Sequence, residues 1–252
     1  MATRSGLTIR TYVELGTSAQ PVLVRWSTWG TRHGNYDSYA VILPEGPVLI
    51  DPVDPLAESG GELWPLLGRP PQATVLTNDY HERDAYVIRE RWGTPVWAPA
   101  AGLPARGGEL EGQPDHLYED GQTLPGGLRA IKIAGKFAGD TVLAWQAPTG
   151  ERVLFTGDAI NGEFNPDNPL VHPRRGAPGL YLGAGPFYLR DLDVEALKAS
   201  LRPILSGRVD LLCGAHGQPV RENAGAALAR LVELDWTPFL QEGRHPVVPV
   251  AR

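Results

Sequence analysis

The sequence contains LTNDYHERD at residues 76–84, AGKFAGD at 134–140, LFTGDA at 154–159 and CGAHG at 213–217. Each segment joins a short apolar run to a polar turn, which is the pattern of a buried strand that ends in a loop. The last two turns carry Asp158 and His216. Polar residues at several matching strand ends favour one site that is assembled from distant parts of the chain.

The composition is that of an ordinary globular protein. Of 252 residues, 42% are hydrophobic and 21% are charged, and a chain of this length buries a large core. The net charge of −6 disfavours nucleic acid and anionic membranes as partners, and no apolar run approaches the ~20 residues of a membrane span. Cys213 is the single cysteine, which agrees with a reducing compartment. We therefore expect a cytoplasmic protein with a single domain over residues 1–252.

Hydrophobic periodicity predicts two β-rich blocks with helices around them. The predicted strands cover residues 7–15, 21–29, 36–43, 48–51, 73–77, 95–98, 128–133, 141–146, 152–156 and 209–213. The predicted helices cover 84–92, 193–205 and 221–236, because their apolar residues recur every three to four positions. This order predicts an α/β sandwich with two facing sheets at its centre.

The order and spacing of the four segments resemble the metallo-β-lactamase superfamily over residues 39–217. The resemblance implies a four-layer αββα sandwich with a metal site at one edge of its sheets. In that family a Thr-His-x-His-x-Asp-His motif is followed by a Gly-His-x-x-Gly turn, an aspartate and a final histidine. Aligned without a gap, these positions hold here Asn78, Tyr80, Glu82, Arg83, Lys136, Asp158 and His216.

The substitutions favour a site without the two-zinc centre that the resemblance implies. Zinc binds imidazoles, thiolates or carboxylates, whereas Arg83 stays protonated and the ammonium of Lys136 has no lone pair. We interpret the two cations as a replacement for metal charge, with Lys136 paired to Asp158 or Glu82. No cofactor is expected on this interpretation.

A one-residue slip in the alignment gives a rival interpretation. His81 and Asp84 lie three residues apart and, with Asp158 and His216, would supply two imidazoles and two carboxylates to one divalent ion such as zinc. Lys136 and Arg83 would then point away from the cleft. Each retained residue also has a structural interpretation, since Asp158 could cap its turn and His216 could be a buried histidine that joins two loops.

A long stretch without periodicity, residues 161–188, follows Asp158 directly. Long loops inside a domain often cover a binding site. His172, Arg174 and Tyr181 of this stretch would then line a pocket for an anionic or aromatic ligand. The alternative, equally well supported, is a surface cover or a homodimer contact that is packed by its own aromatic residues.

Three functions remain open at this point, all with a small molecule as partner. The first is a hydrolase-like enzyme without two metals, in which Lys136 stabilises charge and His216 or His81 is the general base. Asn78, Tyr80 and Arg83 would then contact the substrate. The second is a hydrolase of esters, lactones or thioesters that uses one divalent ion. The third is a non-catalytic protein that binds a small anion; the sequence favours the first.

Overall fold

The first sheet contains seven strands that follow one another in chain order. We describe residues 8–31, 34–54, 63–101, 112–162, 179–183 and 186–250 of a computed structural model. The strands are β1 (Thr8–Gly16), β2 (Pro21–Thr31), β3 (Gly34–Val41), β4 (Val48–Ile50), β5 (Ala73–Val75), β6 (Val96–Pro99) and β7 (His116–Tyr118). Neighbours are antiparallel from β1 to β4 and parallel from β4 to β7.

The second sheet has four strands, and a small third sheet lies beside it. The second sheet contains β8 (Arg129–Lys132), β9 (Thr141–Gln146), β10 (Arg152–Gly157) and β13 (Leu211–Gly214), in the order β13-β10-β9-β8. The third contains β11 (Ile160–Asn161), β12 (Leu180–Leu182) and β14 (Val247–Val248). Its strand β12 lies within the stretch that we predicted to be irregular, and it buries Tyr181.

The helices are short, and glycine or proline residues lie at the ends of two of them. They are α1 (Leu63–Leu67), α2 (Ala85–Trp92), α3 (Pro186–Leu189), α4 (Val194–Leu201), α5 (Ala224–Glu233) and α6 (Thr237–Gln241). Gly93 ends α2 in the left-handed conformation (φ 67°), which glycine adopts without strain. The helix predicted over 193–205 divides into α4 and the 3-10 turn Arg202–Ser206, where Pro203 lacks the amide hydrogen of a continuing helix.

Three apolar clusters hold these elements as four layers. Between the two large sheets, the ring of Tyr39 in β3 packs edge-on against Phe155 in β10, with centroids 5.4 Å apart. Outside the first sheet, α1 and α2 pack through Leu63 and Ile88. Outside the second sheet, α4 and α5 pack through residues such as Leu197. The αββα sandwich predicted from the sequence is therefore confirmed.

Parallel pairing brings polar strand ends to one edge of the sandwich. Strands β4 and β5 run in parallel in the first sheet, and β10 and β13 do so in the second. The carboxyl ends of parallel strands lie at the same sheet edge, where open α/β sheets place ligand sites. In the described ranges, no helix has the length and apolar character that crossing a bilayer requires.

Candidate functional site

The site begins with Asp51, the residue that follows β4. Its carboxylate accepts hydrogen bonds from the Thr77 backbone N–H (2.8 Å to Oδ1) and from the Thr77 hydroxyl (2.5 Å to Oδ2). His81 Nδ1 lies 2.8 Å from the same Oδ2. Asp51 has a φ of 45°, a left-handed conformation that is uncommon for a residue other than glycine and that often marks a functional position.

Asp158 continues from His81 into the second sheet. Its Oδ1 lies 3.0 Å from His81 Nε2 and 3.3 Å from His216 Nε2. The order of contacts is therefore Asp51, His81, Asp158 and His216, which we call the carboxylate–imidazole chain. The His81 side chain is 5% exposed and that of His216 is 17% exposed, so the chain runs from the interior towards the surface.

The close approach of the two sheets at this point depends on Gly157. A Cβ atom on Gly157 would lie 2.6 Å from the Thr77 hydroxyl oxygen, and its φ of 51° is left-handed. A side chain there would displace Thr77, whose hydroxyl lies 3.0 Å from His81 Nδ1. The glycine of LFTGDA is thus required for contact between the two halves of the carboxylate–imidazole chain.

The charges of the chain stabilise one another. Burial alone would lower the pKa of His81, but the carboxylates of Asp158 and Asp51 outweigh this effect and raise the pKa to about 9. Burial alone would raise the pKa values of Asp51 and Asp158, but the His81 imidazolium holds both below their usual range. His81 is therefore an imidazolium at neutral pH, and each ring nitrogen donates to a carboxylate.

Arg83 lies behind this chain and binds the backbone. Its Nη1 donates to the carbonyl oxygens of Asp37 (2.8 Å) and Asp51 (2.6 Å), and its guanidinium lies 4.6 Å from the centroid of the Tyr36 ring. Two other guanidinium nitrogens, Nε and Nη2, are buried without a hydrogen-bond partner among the described atoms. Arg83 thus braces the turn that carries Asp51, and its predicted contact with substrate stays a prediction.

Comparison with known proteins adds the fold family. No protein-family profile and no curated protein sequence matches the chain. Among solved structures, TTHA1623 in a di-iron-bound form is 25% identical, covering 80% of this chain and 96% of its own, with a TM-score of 0.56. A metallo-β-lactamase from Pontibacter korlensis is 17% identical, with coverages of 93% and 99% and a TM-score of 0.63.

A third neighbour is the metallo-β-lactamase FIM-1 from Pseudomonas aeruginosa in its mono-zinc form. It is 14% identical, covers 84% of this chain and 91% of its own, and has a TM-score of 0.61. This chain has the metallo-β-lactamase fold. The resemblance drawn from the four segments is confirmed, and the positions of the family motif can now be followed in space.

Lys136 stands where the metallo-β-lactamase motif has its third histidine, but it does not face Asp158. Its half-buried ammonium donates to the Arg190 carbonyl and lies 5.3 Å from the Phe137 ring centroid. Within the described residues it forms no ion pair with Asp158 or Glu82, so the predicted pairing is wrong. The physical reason is Gly135, which packs so tightly on α4 that a Cβ would lie 2.6 Å from the Asp193 carbonyl oxygen.

Asn78 and Tyr80 take the positions of the first two motif histidines and have different roles. Asn78 is buried, accepts from the Tyr80 backbone N–H at 2.8 Å and lies 3.4 Å from Asp140 Oδ1. It therefore shapes the turn and is not a surface for substrate. Tyr80 is 50% exposed and its ring lies 5.0 Å from that of Phe137, so it remains a candidate for substrate contact.

Asp140 is a site residue that the sequence reasoning missed, although it ends the quoted segment AGKFAGD. The Tyr188 hydroxyl donates to its Oδ2 at 3.1 Å. Burial, and secondly the charge of Asp158, raises the pKa of Asp140 to about 7. A third carboxyl, partly protonated at neutral pH, therefore lies beside the two carboxylates of the carboxylate–imidazole chain.

Of the remaining predicted site residues, two have other roles in the fold and two lie outside the described residues. Asp84 accepts a hydrogen bond from the Asp54 backbone N–H at 2.8 Å, and among the described contacts it does not join His81, Asp158 and His216. Tyr181 lies in β12 opposite Asn161 and is buried, so it is a sheet residue and not part of a loop over the site. His172 and Arg174 lie outside the described residues.

The donor set does not fit the two-metal centre implied by the metallo-β-lactamase fold. Tyr80 and Lys136 occupy two histidine positions, and Asn78 uses its amide in the turn. Both nitrogens of His81 already face carboxylates. Across the described ranges, no group of three or more His, Cys, Asp or Glu side chains is arranged to hold a metal ion.

Proposed function

We propose that this protein is a hydrolase-like enzyme that acts on a small molecule in the metallo-β-lactamase cleft without a two-metal centre. The observation that carries the proposal is His81, whose two ring nitrogens lie 2.8 Å from Asp51 and 3.0 Å from Asp158. Two buried carboxylates need a compensating positive charge. The His81 imidazolium supplies this charge in the position that a metal ion would otherwise take.

This arrangement divides the roles of the two histidines. His81 donates with both nitrogens and so has no lone pair for a proton, which argues against the role of general base that we considered for it. His216 lies at the more exposed end of the chain and is oriented by Asp158. A carboxylate that orients an imidazole is the arrangement of many general bases.

The chemistry that fits this pair is hydrolysis of an ester, lactone or thioester. His216 accepts a proton from water while the water oxygen attacks the acyl carbon. The bond to the leaving group breaks as the tetrahedral intermediate collapses, and His216 returns the proton to the leaving oxygen or sulfur. Asp158 stabilises the positive charge on His216 during these steps. Tyr80 is exposed on the adjoining turn, and we assign it contact with the acyl group.

A second candidate function is hydrolysis with one divalent metal ion. It is favoured by the convergence of His81 Nε2 and His216 Nε2 on one oxygen of Asp158, at 3.0 Å and 3.3 Å. Asp51 lies on the other ring nitrogen of His81, as carboxylates do behind metal-binding imidazoles. Because the described side chains form no metal-binding group as they stand, this candidate requires His81 to lose its proton and His81, Asp158 and His216 to rearrange. A bound ion would then supply an activated water.

One set of measurements separates these functions. The protein is purified without chelator, its metal content is determined, and esters, lactones and thioesters are assayed with and without EDTA. We expect less than one equivalent of zinc, activity that resists EDTA, and a roughly 10²–10⁴-fold loss in His216→Ala. His116→Ala, which changes an exposed histidine outside the site, is the matched control.

The other outcomes each select a different function. Activity that EDTA abolishes and zinc restores would establish the single-metal hydrolase. About two equivalents of zinc would refute both candidates. An absence of turnover, together with thermal stabilisation by a small carboxylate or phosphate, would show a non-catalytic anion-binding protein.

A further inference from the structure

The amide of Asn161 connects the turns that carry Asp158 and His216. Asn161 is the last residue of β11 and is 1% exposed. Its Nδ2 donates to the Asp158 carbonyl oxygen at 3.0 Å, and its Oδ1 accepts from the His216 backbone N–H at 3.0 Å. One planar group thus bonds the backbone of both residues whose side chains meet 3.3 Å apart.

We propose that Asn161 is a positioning residue that fixes the separation of Asp158 and His216. The inference rests on the proposed function, because it assigns Asn161 a role through the His216 general base. This role requires one donor and one acceptor on the same rigid group, and the carboxamide of Asn161 provides both. The buried carbonyl of Asp158 and N–H of His216 would otherwise lose these partners.

The packing around Asn161 leaves no room for the two turns to move closer together. A Cβ on Gly214 would lie 2.8 Å from the Asn161 Cα and 3.0 Å from its Oδ1. A Cβ on Gly162 would lie 1.8 Å from the Gln218 carbonyl oxygen. Both glycines are therefore required for the close approach of the Asn161 segment to the segment that carries His216.

A second set of bonds holds the His216 turn from its other side and provides a control. Arg25 Nη2 donates to Gln218 Oε1 at 2.9 Å, and the Asp37 backbone N–H donates to the Ala215 carbonyl at 2.8 Å. Among the described contacts, neither of these bonds reaches Asp158. Loss of the Gln218 bond tests the rigidity of the turn alone, whereas loss of Asn161 tests the link to Asp158.

The experiment compares Asn161→Ala, Asn161→Asp and Gln218→Ala with the wild type. Steady-state kinetics give kcat and KM, amide hydrogen exchange gives protection at His216, and thermal unfolding shows that each variant is folded. For Asn161→Ala we expect kcat to fall roughly 10–100-fold, as for a displacement of about 1 Å, with KM within about twofold. Exchange at the His216 amide should become faster.

The two other variants sharpen the test. Asn161→Asp keeps the shape and the acceptor for His216 but loses the donor to Asp158, so His216 should stay protected while kcat still falls. Asn161→Asp also decides the outcome if Asn161→Ala does not fold. Gln218→Ala should keep kcat and KM within about twofold of the wild type, since it leaves the link between Asp158 and His216 intact.

Three results would overturn the inference. These are folded Asn161 variants with wild-type kcat, unchanged exchange at His216 in Asn161→Ala, or an equal loss of kcat in Gln218→Ala. If the wild-type protein hydrolyses none of the substrates, the proposed function fails separately. The exchange comparison then still decides whether Asn161 holds the His216 turn.

Discussion

The turn around His81 and the turn around Lys136 both belong to segments that resemble metal motifs, yet their cationic side chains have different surroundings. His81 is buried, and each of its nitrogens faces a carboxylate. Lys136 is half-buried, and its ammonium binds the Arg190 carbonyl. A charge interacts strongly with its neighbours only where water is excluded. The cation that compensates Asp51 and Asp158 is therefore the one enclosed with them, not the one at a former ligand position.

The largest effect that follows from this comparison concerns His81. His81→Ala removes the cation between Asp51 and Asp158 and leaves two buried carboxylates without it. Breaking a buried charge network in this way costs about 3–5 kcal/mol, so the melting temperature should fall by roughly 10 °C. Thermal and denaturant unfolding at pH 7 measure it, with the exposed His116→Ala as control. A loss below about 1 kcal/mol would show that His81 is not the compensating charge.

A pH dependence of stability follows from the same residue. The pKa of His81 is about 9 in the folded chain, whereas the ordinary histidine value of 6.5 applies to the unfolded chain. Its contribution to the free energy of unfolding is therefore complete below pH 6.5. It declines as the pH rises through 9. Between pH 7 and 8.5 the loss should be about 2 kcal/mol.

This pH window separates most of the His81 effect from the effects of other groups. Burial holds the Cys213 thiol and the Tyr39 phenol protonated and raises their pKa values, so they also reduce stability at higher pH. Most of that effect falls above pH 8.5, where these groups ionise in the unfolded chain, and Asp140, with a pKa of about 7, adds only a small decline within the window. The decline between pH 7 and 8.5 should therefore be much smaller in His81→Ala; an equal decline in the variant would contradict the assignment.

Asp140 should show the opposite behaviour to a paired carboxylate. Burial and the charge of Asp158 raise its pKa to about 7. The group therefore ionises in the unfolded chain at a lower pH than in the folded chain, and stability is lost as the pH rises from about 4 to 7. Asp140→Asn abolishes this ionisation and should stabilise the protein at pH 8 by about 1–2 kcal/mol, a rise of a few degrees in melting temperature. At pH 4 the difference should vanish. Destabilisation at pH 8 would mean that Asp140 is paired as an anion.

The sequence predicts those parts of the site that depend on single strands. Asp158 and His216 follow the apolar runs of β10 and β13, and their strand ends were located from hydrophobicity alone. The position of His81 was less certain, because a one-residue slip changes which side chain of a turn faces the cleft. The contact between His81 and Asp51 joins β4 and β5, and no local pattern records which strands become neighbours.

Two errors came from forces that act between distant segments. Lys136 was predicted to face Asp158, but the direction of its turn is set by the packing of Gly135 against Asp193 and Leu197 at the start of α4. Strand β12 was missed because it has only three residues and depends on pairing with β11 and β14. Both features require knowledge of tertiary neighbours, which a single sequence does not contain.

The smallest expected loss of stability is that of Lys136→Ala, in contrast to the large loss expected for His81→Ala. The Lys136→Ala substitution removes one hydrogen bond to a carbonyl and the cation–π approach of the ammonium to the Phe137 ring. Because the side chain is half-exposed, the cost should be at most about 1 kcal/mol. Lys136→Met removes the charge but keeps a long apolar side chain, and it should recover part of that cost. Unfolding of both variants beside His81→Ala measures the difference directly. If Lys136→Ala were as damaging as His81→Ala, the ammonium would reach the buried carboxylates in solution, and charge compensation would belong to Lys136 after all.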